Sequence, residues 1–257
     1  MNVIPIPCLS DNYSYLIVCE ESNQAGIVDP SEFAPVWEVI QREGVNLVAI
    51  LNTHHHWDHV GGNEELQKKI PGLKVYGHHS DKGRVPGQNV MLQDTDKIKI
   101  GNLEGHLTHN PGHTSGAISF YFEDSVFTGD TMFAGGCGRL FEGTPQDMYQ
   151  SLNEKIGHHS PATKVYFGHE YTENNLKFAL SVEPENKWVQ EKLAETIKLR
   201  KSGKFTTPST LESEFQTNPF MRCDSPEIQK TVQNRDPGND LSPSSILAVI
   251  RKMKDDF

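Results

Sequence analysis

The sequence predicts an α+β protein, and three observations predict it. Short β-branched segments broken by Gly, Pro and Asp run to about residue 168, longer helix-periodic segments follow from residue 170, and metal-ligand residue types sit just past the β segments. Strands are expected at 15–19, 26–28, 47–51, 74–76, 118–122, 126–128 and 164–167. Helices are expected between them at 35–42, 63–70 and 147–156; the last has a start signal, because Thr144 can cap, Pro145 suits the first turn and Asp147 completes a capping box. The later segments 173–182, 185–202, 226–233 and 243–257 have helical spacing. In the final one Ile246, Ile250, Met253 and Phe257 share a face, which predicts that Arg251 and Lys254 lie together on an exposed one.

Composition narrows the function classes. A chain of 257 residues with 35% hydrophobic content can bury a sizeable core, and a net charge of −10 argues against broad nucleic-acid or anionic-membrane binding. Apolar runs such as 47–51 fall far short of the roughly 18 residues that span a bilayer. Cys8, Cys19, Cys137 and Cys223 are scattered without a C-x-x-C pair, and the N-terminal residues have no signal-peptide pattern, so a reduced, cytoplasmic protein is expected; no obligate protein partner is inferred from the sequence. There is no G-x-S-x-G elbow and no phosphate-binding G-x-x-x-x-G-K loop. The Gly135-Gly136-Cys137-Gly138 cluster reads as a tight turn, with Cys137 as a small buried thiol.

The strongest signal is Thr53-His54-His55-His56-Trp57-Asp58-His59, directly after a buried-looking strand. Side chains alternate along an extended stretch, so His54 and His56 point one way while Asp58 and His59 come round the turn. One metal can take the first pair and a second metal the last. Imidazole and carboxylate ligands without thiolate suit zinc, iron or manganese, and each ion needs a further ligand. His113, Asp130 and His169 are the candidates, each past an apolar strand or beside a glycine turn. Singly, such residues are more often turn formers or satisfied core groups; the ordered combination is what points to a metal centre.

The T-H-x-H-x-D-H loop with the later His, Asp and His resembles the metallo-β-lactamase superfamily over about the first 170 residues. Gly129-Asp130-Thr131-Met132-Phe133, the stretch 135–144, Gly168-His169-Glu170-Tyr171-Thr172, Asn218-Pro219-Phe220 and Arg251-x-x-Lys254-Asp255 are similar to the glyoxalase II family along essentially the whole chain. The resemblance implies a four-layer αββα metallo-β-lactamase sandwich as the catalytic domain over residues 1–168, and a small C-terminal helical, substrate-binding domain over 169–257. It implies two divalent ions per chain, zinc before iron or manganese: His54, His56 and His113 hold one, Asp58, His59 and His169 hold the other, and Asp130 bridges them. A metal-bridging hydroxide positioned by Asp58 would then attack the thioester of an S-2-hydroxyacylglutathione, the second step of methylglyoxal detoxification. Arg139, Tyr171, Arg251 and Lys254 match positions that bind the glutathione moiety. Family members often carry Lys and Tyr where this chain has Arg139 and Phe141, which removes one phenolic hydrogen bond and bears on affinity more than on chemistry.

Other readings predict other features. An RNA-processing nuclease of the superfamily would show a basic exosite, a secreted β-lactamase a signal peptide and often a Cys ligand in the Asp130 slot. A mononuclear iron dioxygenase would not need the full second ligand set, and a non-catalytic metal module would saturate its ions with protein ligands.

Overall fold

The computed structural model describes residues 1–257, and strand pairing dominates its first part. β1 (Asn2–Cys8) and β2 (Asn12–Cys19) form an antiparallel pair, and β2 pairs antiparallel with β3 (Gln24–Val28). β3, β4 (Asn46–Leu51), β5 (Lys74–His78) and β6 (Val90–Leu92) then run parallel, completing a sheet ordered β1-β2-β3-β4-β5-β6. Helix α1 (Phe33–Glu43) connects β3 to β4, while α2 (Trp57–Val60) and α3 (Asn63–Lys69) lie between β4 and β5.

α1 buries Val36, Val39 and Ile40, the i, i+3, i+4 stripe of an amphipathic helix, and these join Leu66 of α3 and Leu16, Ile27 and Ile50 of the sheet in one core. At roughly 1.5–3 kcal/mol for each fully buried Leu, Ile or Val, this layer is a main source of stability. The helix stops at Gly44, whose φ of 63° lets its N–H reach back to the Ile40 and Gln41 carbonyls.

The next strands are β7 (Lys97–Ile100), β8 (Leu103–His109), β9 (Ile118–Phe122) and β10 (Ser125–Gly129), an antiparallel succession. β7, absent from the expected strands, buries Ile98 and Ile100 and exposes Lys97 and Lys99, the period-2 alternation of a half-buried strand. Gly26 of β3 is where these strands press on the first sheet: a Cβ there would sit 2.5 Å from Ile100 Cδ1. These elements form one compact unit of residues 1–109, 116–129 and 167–169.

A second unit comprises residues 110–115, 130–166 and 170–257. It holds the short ribbon β11 (Met132–Phe133) and β12 (Gly136–Cys137), helix α4 (Pro145–Tyr149), and most of β13 (Lys164–Phe167). Thr144 and Asp147 form the full capping box at the start of α4. The helix expected over 147–156 is divided: α-geometry ends at Tyr149, Gln150–Lys155 is a π turn and Ile156–His158 a 3₁₀ turn. Asn153 lies in that wide turn, its side-chain amide donating to the Tyr149 carbonyl, and Ser151 donates to the Pro111 carbonyl.

Helices α5 (Thr172–Val182) and α6 (Lys187–Lys201) pack through Leu176, Ala179 and Val189. β14 (Ser209–Thr210) pairs with β13, followed by α7 (Leu211–Thr217), α8 (Pro226–Arg235) and α9 (Pro243–Asp255). The face assignment of α9 needs correction. Its buried positions are Ile246, Leu247, Ile250 and Arg251, while Phe257 lies beyond the helix and is exposed. The stripe is turned by about one residue, so Arg251 falls on the inward side. No helix is long and apolar enough to cross a membrane.

Candidate metal centre and basic cluster

The parallel strands β3 and β4 end side by side, and the loops after strand ends carry the titratable side chains. Beyond β4, Thr53 and His54 are buried, and the chain turns at His56 into α2, which places Asp58 and His59 within a single helical turn. β13 ends at Phe167, and His169 follows. Asp58 Oδ2, His59 Nε2 and His169 Nε2 converge, with separations of 3.6 Å (Asp58–His59), 3.4 Å (Asp58–His169) and 3.3 Å (His59–His169). His54 joins this group through a ring-centroid distance of 4.2 Å to His59, and His56 lies 4.7 Å from His54 on the same measure.

The outer nitrogens explain the inward aim of these rings. His59 Nδ1 lies 3.0 Å from Asp29 Oδ2 and His169 Nδ1 lies 2.8 Å from Asp11 Oδ1; an ionised carboxylate only accepts, so each Nδ1 carries the proton. Thr53 Oγ1 donates to Asp29 Oδ2 at 2.6 Å, which leaves the hydroxyl oxygen to accept from His54 Nδ1 at 3.0 Å. Nε2 is therefore the lone-pair nitrogen of His54, His59 and His169. Two such lone pairs facing at 3.3 Å beside a carboxylate repel one another, a repulsion that the Asn12 amide 3.5 Å from His169 Nε2 eases and a cation among them would remove, so the donor set fits a divalent metal. His54, His59 and Asp29 make a second buried group whose ligand atoms lie within 4.8 Å of one another, but both Asp29 oxygens already accept hydrogen bonds.

Asp29 was not singled out in the sequence. It sits at the end of β3 with a left-handed φ of 46°, a conformation costing a non-glycine residue about 1–2 kcal/mol. Bonds from the Thr53 N–H (2.7 Å), the Thr53 hydroxyl and His59 offset that cost at about 1.5–3 kcal/mol for each hydrogen bond to a charged group. The only sequence signal was its place, an Asp-Pro at a strand end. Asp11, at the end of the turn between β1 and β2, and Asn12, the first residue of β2, are likewise unmarked in the sequence.

In the second unit, His113 and Asp130 come together, with Nε2 and Oδ2 3.5 Å apart. His113 Nδ1 donates to the Arg139 carbonyl at 2.8 Å, which leaves Nε2 as the lone-pair nitrogen facing Asp130 Oδ2. Gly138 is the reason this loop fits: a Cβ there would lie 2.1 Å from the Asp130 carbonyl oxygen and 2.8 Å from His113 Nδ1. Glu142 accepts from the Ser115 N–H and hydroxyl and ties down the far side of the His113 loop.

The same unit gathers cations. Arg251 donates to the Cys137 carbonyl at 2.8 Å and lies over the Phe220 ring, while Asp255 Oδ1 is 3.2 Å from Arg251 and 3.4 Å from Arg139. Lys254 reaches the Asn174 carbonyl and stands over the Phe178 and Phe257 rings. Burial first, then the Arg251 and Arg139 cations, bring the Lys254 ammonium down to about 8. Tyr171 caps α5, half-exposed, its ring edge-on to Phe133. Phe141 is exposed with its ring edge-on to His113. Cys137 is buried, and that burial pushes its thiol up to about 11.

The model of the metallo-β-lactamase superfamily matches residues 10–169, and the model described as hydroxyacylglutathione hydrolase C-terminus matches residues 170–257. A protein of Synechocystis sp. named hydroxyacylglutathione hydrolase is 45% identical with 100% of each chain covered. This chain belongs to the hydroxyacylglutathione hydrolase family. A second hydroxyacylglutathione hydrolase, from Synechococcus sp., is 44% identical over 100% of both chains. Among solved structures, ETHE1 from Myxococcus xanthus superposes with a TM-score of 0.66 at 23% identity, covering 99% of this chain and 98% of its own. The α+β metallo-β-lactamase fold with a C-terminal helical segment is thus the one expected from the sequence, and its His and Asp cluster is a divalent-metal site.

Proposed function

We infer that the chain hydrolyses S-2-hydroxyacylglutathione thioesters, S-D-lactoylglutathione among them, to glutathione and a 2-hydroxy acid, the second step of methylglyoxal detoxification. The observation that carries the reading is the convergence of Asp58, His59 and His169 in a chain similar along its full length to hydroxyacylglutathione hydrolases. The ligand set expected from the sequence provides for two ions: His54, His56 and His113 for one, Asp58, His59 and His169 for the other, and Asp130 shared. Zinc leads iron and manganese as candidate. Bound there, divalent ions would acidify water and polarise a thioester carbonyl.

The chain's own residues do the rest. Asp58, gripped by the Asn12 amide, orients the attacking water from a fixed carboxylate oxygen. Arg139, Arg251 and Lys254 bind the anionic glutathione peptide, and Tyr171 donates its phenol to it; three cations against the one carboxylate of Asp255 leave this patch positive on an acidic protein. A glutathione thiolate is a good leaving group, so no side chain need act as acid. The test is thiol release from S-D-lactoylglutathione by metal-quantified protein. Turnover that scales with metal content is expected; a fully loaded protein that releases no thiol overturns the reading.

A further inference from the structure

We propose that Asp11 is a positioning residue for the metal ligand His169 and that, with Asn12, it makes the β1–β2 turn part of the second metal's support. The proposal rests on the metal assignment above. Asp11 is 158 residues from His169 in sequence, yet its Oδ1 accepts from His169 Nδ1 at 2.8 Å. The next residue holds a second ligand: the Asn12 amide donates to the Asp58 carbonyl at 3.0 Å and to Asp58 Oδ2 at 3.1 Å. Two of the three donors that converge beside His59 are therefore held from one turn.

The backbone shows which part of this grip is structural. The Tyr13 N–H donates to the Gly168 carbonyl at 2.8 Å, and Asn12 forms a β-bridge with His169, so the chain on either side is docked by main-chain bonds. The Asp11 carboxylate is not needed for that docking. It is more than a third exposed, its second oxygen meeting only Ser10 on an open surface. What it adds is the orientation of one ring: without an acceptor at Nδ1, the choice of which nitrogen carries the proton is less tightly set, and the donor loses the electron density a carboxylate partner lends it. Asp29 does the same for His59 from a buried position, where its three bonds also hold the strand end, so only Asp11 separates orientation from folding.

The experiment compares wild type with Asp11→Ala and Asp11→Asn, measuring zinc stoichiometry and the affinity of each ion by chelator competition, with cobalt absorption as the spectroscopic signature. Asp11→Ala should weaken one of two ions by about 10–100-fold, the range typical for loss of such a partner, and alter the cobalt spectrum. Asp11→Asn, whose side-chain oxygen can still accept the Nδ1–H hydrogen bond, should recover much of the affinity. The thermal midpoint in saturating zinc should stay at the wild-type value. Two ions at unchanged affinity in Asp11→Ala overturn the proposal, as does a fall in midpoint with parallel loss of both ions, which marks a structural role. Wild-type protein that itself binds only one ion overturns the two-metal reading, an outcome decided before any variant is compared.

Discussion

His59 in the first unit and Arg251 in the second are both buried polar side chains, and they are buried differently. His59 is fixed at its outer nitrogen by Asp29, whose other bonds go to Thr53, so one carboxylate locks two neighbouring ligand positions against rigid strand ends. Arg251 stands on a helix, with one bond to a backbone carbonyl, one ring face and a half-exposed Asp255. The first arrangement fixes donor atoms through several hydrogen bonds at once, the preorganisation that a metal site needs. The second rests on a helix and on a partner carboxylate at the surface.

Asp58→Ala should produce the largest effect. It removes a donor from the triad and should leave one ion per chain, with turnover lower by about three orders of magnitude or more, a barrier increase of about 4 kcal/mol. Elemental analysis beside steady-state kinetics decides it; full activity with one ion would erase the contrast between the two regions. On the helix side, Lys254→Ala should raise KM for the glutathione thioester about tenfold, or about 1.4 kcal/mol, with kcat little changed. Its ammonium is protonated below about 8 and neutral above, so kcat/KM should fall as pH rises through 8, a limb that the variant should lack. A thioester without the peptide should show neither effect. Arg251→Ala is a poorer probe than the sequence suggested, because it also leaves the buried Cys137 carbonyl without its donor, at about 1–3 kcal/mol of stability. The smallest effect belongs to Cys137→Ala: a thiol held at about 11 is protonated at neutral pH, so turnover should stay near wild type, and trapping of an acyl group on Cys137 would contradict a metal-dependent route.

The sequence disclosed what is local. His54 to His59 are neighbours in the chain, and a strand followed by a ligand-dense turn can be read from alternation alone. Asp29, Asp11 and Asn12 act on partners 30, 158 and 46 residues away, and nothing in their own neighbourhood distinguishes them from ordinary turn formers. Arg251 was misplaced because charge was read as exposure; a carbonyl, a ring and a carboxylate make burial tolerable, and all three come from tertiary structure. The π turn at 150–155 was hidden for a similar reason, since the Asn153 contact that accompanies it looks like any polar helix residue. α7 was missed because Leu211 to Thr217 is too short and polar to show a period, its start depending on the Thr210 cap.

Gly138 separates two kinds of tolerance to change. The chain passes so close beneath His113 and Asp130 that no side chain fits, and the next residue, Arg139, lends its carbonyl to His113 while its side chain extends into solvent. What His113 senses is the path of the backbone, which does not depend on the side chain at position 139. Exchange of Arg139 for another cation leaves the carbonyl where it was, so the side chain here can change without disturbing His113. A one-residue insertion or deletion between Gly135 and Arg139 moves the carbonyl itself, so the His113 contact depends on the length of this loop far more than on the residue at its end.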